Sequence, residues 1–429
     1  MSCVWNDSFI SVIGRTKRTC DHWDTLVEKE WVLYNKKHRG IMFKHTAIST
    51  AILGLAVTTQ AFAQNEQTVS KQQAEINELK AQLKQTEAKL ESLASAIEAG
   101  NSNSSSALSG ISIGGYGEHH YNHYFRDSKN DKVDAHRYVL YIGKEFSESV
   151  RFVSEFELEH SLAGDGAPGE VELEQAYIEW DFAQQHKAQA GLFLVPVGIL
   201  NETHEPDTFY GVERNNVEKN IIPTTWWETG AQVLGELAPG VSYNLALHSG
   251  LYLEDAAKVR GGRQKSAEAV ANDWAVTGRI KYTAVAGLEL AASLQYQNDM
   301  KQNKADSDME SAATLLETHA VYQTGDLTIK ALYARWDIDG DDFKAEGFDE
   351  QSGYYLEAGY KLTPELGVFA RHSNWDNEAG NSDDTDVSYN EIGVNYWLHP
   401  KVVFKADIGT ESKAGDDASV FNLGVGWSF

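Results

Sequence analysis

The chain has 429 residues, a formal net charge of −26 and a mean hydropathy of −0.43. That acidic balance argues against a nucleic-acid binder, which clusters Lys and Arg on one face. The only two cysteines, Cys3 and Cys20, lie so far forward that a disulfide-built domain is excluded once the start of the chain is read.

Residues 1–41 carry no signal-like character and read as an extension ahead of a true start at Met42. From there, "MFKHTAISTAILGLAVTTQAFAQ" has Lys44 and His45, a short apolar core and then Ala61-Phe62-Ala63. A basic region, an apolar region and an A-x-A site predict a signal peptide over 42–63. Cleavage after Ala63 removes both cysteines. Of the 63 acids and 37 bases, residues 1–63 hold 5 and 8, leaving 58 and 29.

Residues 64–99 contain no Gly or Pro. Val69, Ile76, Leu83, Leu90 and Ile97 recur every seven residues, and Leu79 and Leu93 fill two of the intervening positions, with Gln72 and Thr86 in the others. This heptad pattern predicts a periplasmic coiled coil. "GNSNSSSALSG" (100–110) is a flexible linker by composition.

From Ile111 to Phe429 the texture changes to segments of period-two alternation. They begin near Ile111, Ala135, Arg151, Glu170, Ala188, Ala231, Val241, Asp273, Leu288, Ala312, Leu327, Gln351, Leu366, Val387, Val402 and Ser419. Short turns ("SESV", "AQQHK", "APG", "AVAG", "GD", "TPE", "HPK") alternate with longer polar loops. No apolar run after residue 63 is long enough for a membrane helix. Alternating strands evade such a test, because lipid-facing and lumen-facing residues average out. The fold class is therefore all-β: a 16-stranded antiparallel transmembrane β-barrel over 111–429, preceded by the coiled coil, in a bacterial outer membrane. The last strand, "FNLGVGWSF", puts Phe421, Leu423, Val425, Trp427 and Phe429 on one face. That face suits lipid, and a closing strand ending in Phe429 is the kind of signal read by the barrel-assembly machinery.

The longest loop, "NETHEPDTFYGVERNNVEKNIIPTTWWETG" (201–230), follows the fifth strand. Sixteen strands enclose a water-filled lumen, and a long third loop is positioned to fold into it. Its candidate constriction residues are His204, Glu205, Asp207, Glu213, Arg214, Glu218 and Lys219. The alternation also places Arg151, Glu155, Glu157, Glu159, Glu170, Glu172 and Glu174 toward the lumen, with a bulge near Glu174–Gln175 where the phase shifts. Arg137, Arg279, Arg335 and Arg371 are further pore-lining candidates.

"RYVLYIGKEF", "VRFVSEFELE", "VELEQAYIEW", "GLFLVPVGI" and the "VER" of Val212–Arg214 resemble the phosphate-selective porin family, the porin O and P type, of Gram-negative outer membranes. The resemblance covers Arg137–Gly230 best and implies a trimeric sixteen-stranded diffusion channel for small hydrophilic solutes or ions, with a charged constriction. Two features depart from that pattern. Leu194 stands where family members often carry lysine, and the third loop holds six acids (Glu202, Glu205, Asp207, Glu213, Glu218, Glu228) against Arg214 and Lys219. The expectation is a cation-preferring or weakly selective pore. The alternatives are an anion- or phosphate-selective pore using Arg214 and Lys219, and a structural envelope tether. In "GEHHYNHYF", His119 and His123 share one strand face and His120 the other, which splits a three-histidine metal site. No Ser-His-Asp set emerges, so the reading contains no enzyme, cofactor or metal.

Overall fold

The computed structural model describes residues 109–126, 129–303 and 311–429. The expected extension, signal peptide, coiled coil and residues 100–108 of the linker lie outside them. Sixteen strands follow in order: β1 (Ile111–Tyr124), β2 (Lys132–Glu145), β3 (Val150–Glu159), β4 (Val171–Ala183), β5 (His186–Leu194), β6 (Trp227–Ala238), β7 (Val241–His248), β8 (Ala275–Tyr282), β9 (Leu288–Gln297), β10 (Ala313–Thr324), β11 (Leu327–Ile338), β12 (Glu350–Lys361), β13 (Leu366–Asp376), β14 (Val387–His399), β15 (Val402–Lys413) and β16 (Asp416–Ser428). Each begins within four residues of its predicted start.

Every neighbouring pair is antiparallel, and β1 pairs with β16, so the sheet closes into a barrel. The last residue takes part: Phe429 N–H donates to the Gly115 carbonyl at 2.9 Å, and Gly115 N–H to that of Phe429 at 3.2 Å. Closure removes the open edge that would otherwise leave backbone groups unsatisfied in an apolar medium, at several kcal/mol each.

The period-two pattern sorts the two faces. In β9, Leu290, Leu294 and Tyr296 are exposed outward while Ala291, Ser293, Gln295 and Gln297 are buried inward. The outer wall repeats this with Tyr138, Phe156, Leu173, Leu356 and Ile392. Among the described residues no second layer covers that apolar band, which far exceeds what a water-soluble surface tolerates and is what a bilayer accepts.

The seven short turns lie at one rim, together with Ile111 and Phe429. The other rim carries the long loops, with one departure from strict alternation. β15 and β16 meet at Ala414-Gly415 in a tight hairpin, both residues at positive φ (50° and 78°). Such a turn matches the strand twist, and it extends both strands beyond the predicted loop. The expected bulge is present. Glu155 faces Gln175 and Phe156 faces Leu173, so Glu174 is the extra residue of β4.

The inner wall is not uniformly wet. Leu315, Leu332, Ala334, Trp336 and Ile338 on β10 and β11 point inward and pack on Val217, Ile221, Ile222 and Trp226 of the third loop. This corrects one site candidate. With even-numbered β11 residues buried beneath the loop, Arg335 falls on the outer face near the long-loop rim. There it pairs with Asp337 at 2.6 Å and Glu350 at 2.8 Å and lines no passage.

Candidate functional site

The third loop runs from Val195 to Trp226. Its predicted end is corrected, because Trp227–Gly230 belong to β6 and pair with β5. Asn201 clamps the two ends. Its amide donates to the carbonyls of Val195 (2.7 Å) and Trp226 (2.9 Å), and its oxygen accepts from Trp226 N–H (2.7 Å).

Between those ends the loop crosses the barrel interior. A one-turn helix α1 (Asn216–Asn220) is capped by Asn215, whose oxygen accepts from Val217 N–H at 2.8 Å and whose amide donates to Ser373 Oγ of β13 at 3.1 Å. Within α1, Glu218 is fully buried and accepts from the N–H groups of Ile199 (2.9 Å) and Leu200 (2.6 Å) and from Tyr355 OH of β12 (2.9 Å). Burial pushes its carboxyl above the usual range. Residues 207–212 then run along β13–β16. Asn395 donates to the Phe209 carbonyl (3.0 Å), Arg371 to that of Tyr210 (2.6 Å) and Ser428 to Asp207 (2.9 Å), while Val212 N–H donates to Asp407 (2.7 Å). Backbone inside a barrel needs such partners.

The glycines opposite the aromatic face of β16 now have a reason. A Cβ at Gly426 would collide with Pro206 of the loop, so the wall is thinned where the loop lies on it.

The acids of the loop are engaged. Glu202 pairs with Arg279, Glu205 accepts from Tyr141 OH (3.2 Å), and Asp207 accepts from Ser428. Glu213 contacts His120 (3.2 Å) and accepts from Asn122 (3.1 Å). Burial pushes Glu213 up, but His120, His136 and Lys219 outweigh it and hold the carboxyl at about 2. Glu218 is buried, and so is Glu228 at the start of β6, which accepts from Trp226 Nε1 and Ser249. Buried too is His204, which faces Glu155 and Glu174 rather than the open lumen.

The strand candidates form inward ion pairs. Arg137 meets Glu118 (2.8 Å) and Glu157 (3.4 Å), and Arg151 meets Glu179 (2.5 Å) and Asp181 (2.6 Å). Arg371 bridges Glu357 (2.7 Å) and Glu391 (2.9 Å). Glu170 and Glu172 both hold Lys265, and Glu170 itself is exposed in the loop before β4. Glu159 ends β3 and lines the polar cavity beside the third loop.

A polar cavity of about 480 Å³ opens between the third loop and the walls of β1–β4 and β14–β16. Beside Lys132 and the ion-paired Arg137 and Lys265, four cations face it from loops: Arg214 and Lys219 from the third loop, and Arg260 and Arg263 from the loop between β7 and β8. None of the four forms an ion pair among the described residues. Arg214 donates to Thr225 Oγ1 (2.7 Å), Arg260 to the carbonyls of Lys219 (2.9 Å) and Thr224 (2.6 Å), and Arg263 to that of Thr225 (2.5 Å). Burial, then Arg263 and Arg214, weigh against the proton on Arg260, though a guanidinium keeps its charge. The carboxylates on the same wall are mostly paired; Glu159 and Glu411 are the ones without an ion-pair partner among the described residues. Sequence reasoning missed Arg260 and Arg263. The signal was "KVRGGRQK" (258–265), a basic run in a strongly acidic chain.

His119 and His123 do point outward, while His120 turns inward and stacks on His136 with centroids 4.4 Å apart.

No protein-family model matches the chain. An uncharacterized protein of Aquifex aeolicus (strain VF5) is 30% identical over 362 residues, covering 75% of this chain and 80% of that protein. Among solved structures, an anion-selective porin from Comamonas acidovorans superposes with a TM-score of 0.55 at 11% identity, over 74% of this chain and 99% of that one. The trimer form of OmpT, an outer membrane protein of Vibrio cholerae, does so with a TM-score of 0.50 at 13% identity, over 74% and 99%.

Proposed function

This chain belongs to the same family as the Aquifex aeolicus protein, and on that premise we propose that it is an outer-membrane diffusion channel, narrowed by its third loop, whose entrance favours small anions. The relative is itself uncharacterized, so the reading rests on geometry. The outward apolar band and the porin-type fold support the membrane and the channel. The third loop's many ties to the far wall support its role as the constriction.

One observation carries the selectivity. Each acid of the third loop already has a donor, whereas Arg214, Arg260 and Arg263 donate to neutral oxygens and Lys219 closes no ion pair among the described residues. A carboxylate matched with arginine offers a passing cation little. Four unmatched cations around one cavity offer an anion several charge-assisted donors. At about 4 Å each such charge is worth about 1–4 kcal/mol between water and a protein surface, and within roughly 8 Å the field survives physiological salt. Bulk acidity favours the opposite sign, but much of it lies on the rim and in closed pairs. Phosphate, with its high charge and several acceptor oxygens, fits such a quartet, so the phosphate alternative deepens this reading rather than competing with it.

The test is the reversal potential of the purified protein in a planar bilayer across a KCl gradient. An anion-selective sign is expected, with added phosphate reducing chloride current. A cation-selective sign would return the pore to its bulk charge, and a folded preparation without conductance would leave the tether reading.

The assembly is read as a homotrimer in outer-membrane lipid. The heptads of 64–99 and the fold shared with a protein solved in a trimer form support it. Native mass measurement should give three chains, and deleting 64–99 should weaken the trimer without preventing insertion. Stable monomers in the full-length protein would overturn this. The closing strand ending in Phe429 likewise supports recognition by barrel-assembly machinery.

A further inference from the structure

We propose that His204, Glu155 and Glu174 form a binding site for one first-row divalent transition metal ion, which fastens the third loop to the barrel wall. This inference goes beyond the channel reading and does not depend on which ions the pore prefers.

Three ligand atoms converge. His204 Nε2 stands 3.4 Å from Glu155 Oε1 and 3.6 Å from Glu174 Oε2. The three side chains lie within one group whose ligand atoms are all within 4.8 Å of one another, and the residues are 2%, 0% and 1% exposed. None of these three atoms has a hydrogen-bond partner among the described residues. Buried polar atoms are rarely left so, and three at one point mark a place built for something else.

The distances say what. They are too long for good N–H···O bonds, whose usual range ends near 3.2 Å. Zinc bonds of about 2.0–2.2 Å to nitrogen and oxygen put the corners of a tetrahedron about 3.3–3.6 Å apart.

The surroundings orient the ligands as metal sites do. His204 Nδ1 lies 3.2 Å from the Asn201 carbonyl, so Nδ1–H donates there and the Nε2 lone pair is left facing the carboxylates. Gln175 donates to the other oxygen of Glu155 at 2.6 Å. The β4 bulge makes this possible, since the extra residue lets Glu174 and Gln175 both turn inward. A cavity of about 230 Å³, lined by Tyr141, Glu155, Glu202, His204 and Glu205, borders two of the three ligands and offers an entry path and room for a water as fourth ligand.

Charge agrees. Two carboxylates and a neutral imidazole carry the two negative charges that offset a divalent cation. The imidazole ligand selects against calcium and magnesium, which take oxygen donors.

The experiment uses the full-length protein in detergent, stripped with chelator and titrated with zinc alone. One zinc per chain should bind through His204, with one nitrogen and otherwise oxygen neighbours at about 2.0–2.2 Å by X-ray absorption. His204→Gln and Glu174→Gln should each weaken that binding at least about 100-fold, because each removes a direct ligand where losing a supporting group alone costs about 10–100-fold. His136→Ala, in the separate histidine stack, should leave it unchanged. Heat-dependent gel mobility reports whether each variant barrel is folded. If Glu174→Gln fails that check, Glu155→Gln and His204→Gln carry the test. Absence of bound zinc, or zinc retained undiminished in folded His204→Gln, overturns the proposal. Loss of all zinc in His136→Ala would move the site to the histidine stack and overturn it equally.

Discussion

Replacing Arg214, Arg260 and Arg263 together by Glu should reverse the sign of the reversal potential in a KCl gradient while leaving the barrel folded. The three guanidiniums hold loop carbonyls and a hydroxyl, and none closes an ion pair among the described residues. Their removal therefore strands no buried carboxylate, the usual reason such changes unfold a protein. Some cost comes from the released carbonyls, about 1–3 kcal/mol for each that stays dry. The cavity gives them water, which keeps the cost at the low end. The effect on permeation is large because each change replaces an attractive charge with a repulsive one at the same short distance, and about 1.4 kcal/mol is already tenfold in ion ratio. Reversing Arg335 instead should leave selectivity where it was, since that side chain sits on the outer face against Asp337 and Glu350. If the triple variant keeps the sign of the wild type, the selectivity of the pore arises elsewhere.

The contrast between those arginines marks what sequence can and cannot carry. Strand existence and phase were legible because they depend on local alternation, as in β9 and β16, and the bulge at Glu174 was legible because it breaks that alternation. Charge pairing was not legible. Glu202 meets Arg279 and Glu213 meets His120 only after the loop has crossed the barrel. A count of acids against bases along one loop could not reveal that the acids would be matched and the bases left unmatched. Arg335 was misjudged for a related reason. The expectation of a wet lumen assigns polar residues inward, but on β10 and β11 the inward positions belong to Leu315, Leu332 and Trp336 because a loop from across the barrel covers them.

Substituting Glu218 by Leu should raise single-channel conductance several-fold. Glu218 is the latch of the third loop: one carboxylate accepts from two loop N–H groups and from Tyr355 on the wall. Leucine fills similar space but accepts nothing, so three donors lose their partner, each worth about 1–3 kcal/mol while it remains buried. The barrel does not depend on this latch, because its ladder closes strand by strand from β1 to β16. The cheapest relief is for the loop to leave the wall and let water reach the donors. That movement opens the lumen, so the loss should appear as added conductance rather than as a lost fold. Gly426→Val provides an independent route, since a side chain there drives Pro206 off β16 without touching the latch. Raised conductance in both variants, with unchanged heat-dependent gel mobility, is the expected pair of results. Unchanged conductance in both would mean that the third loop, for all its contacts, does not set the width of the passage.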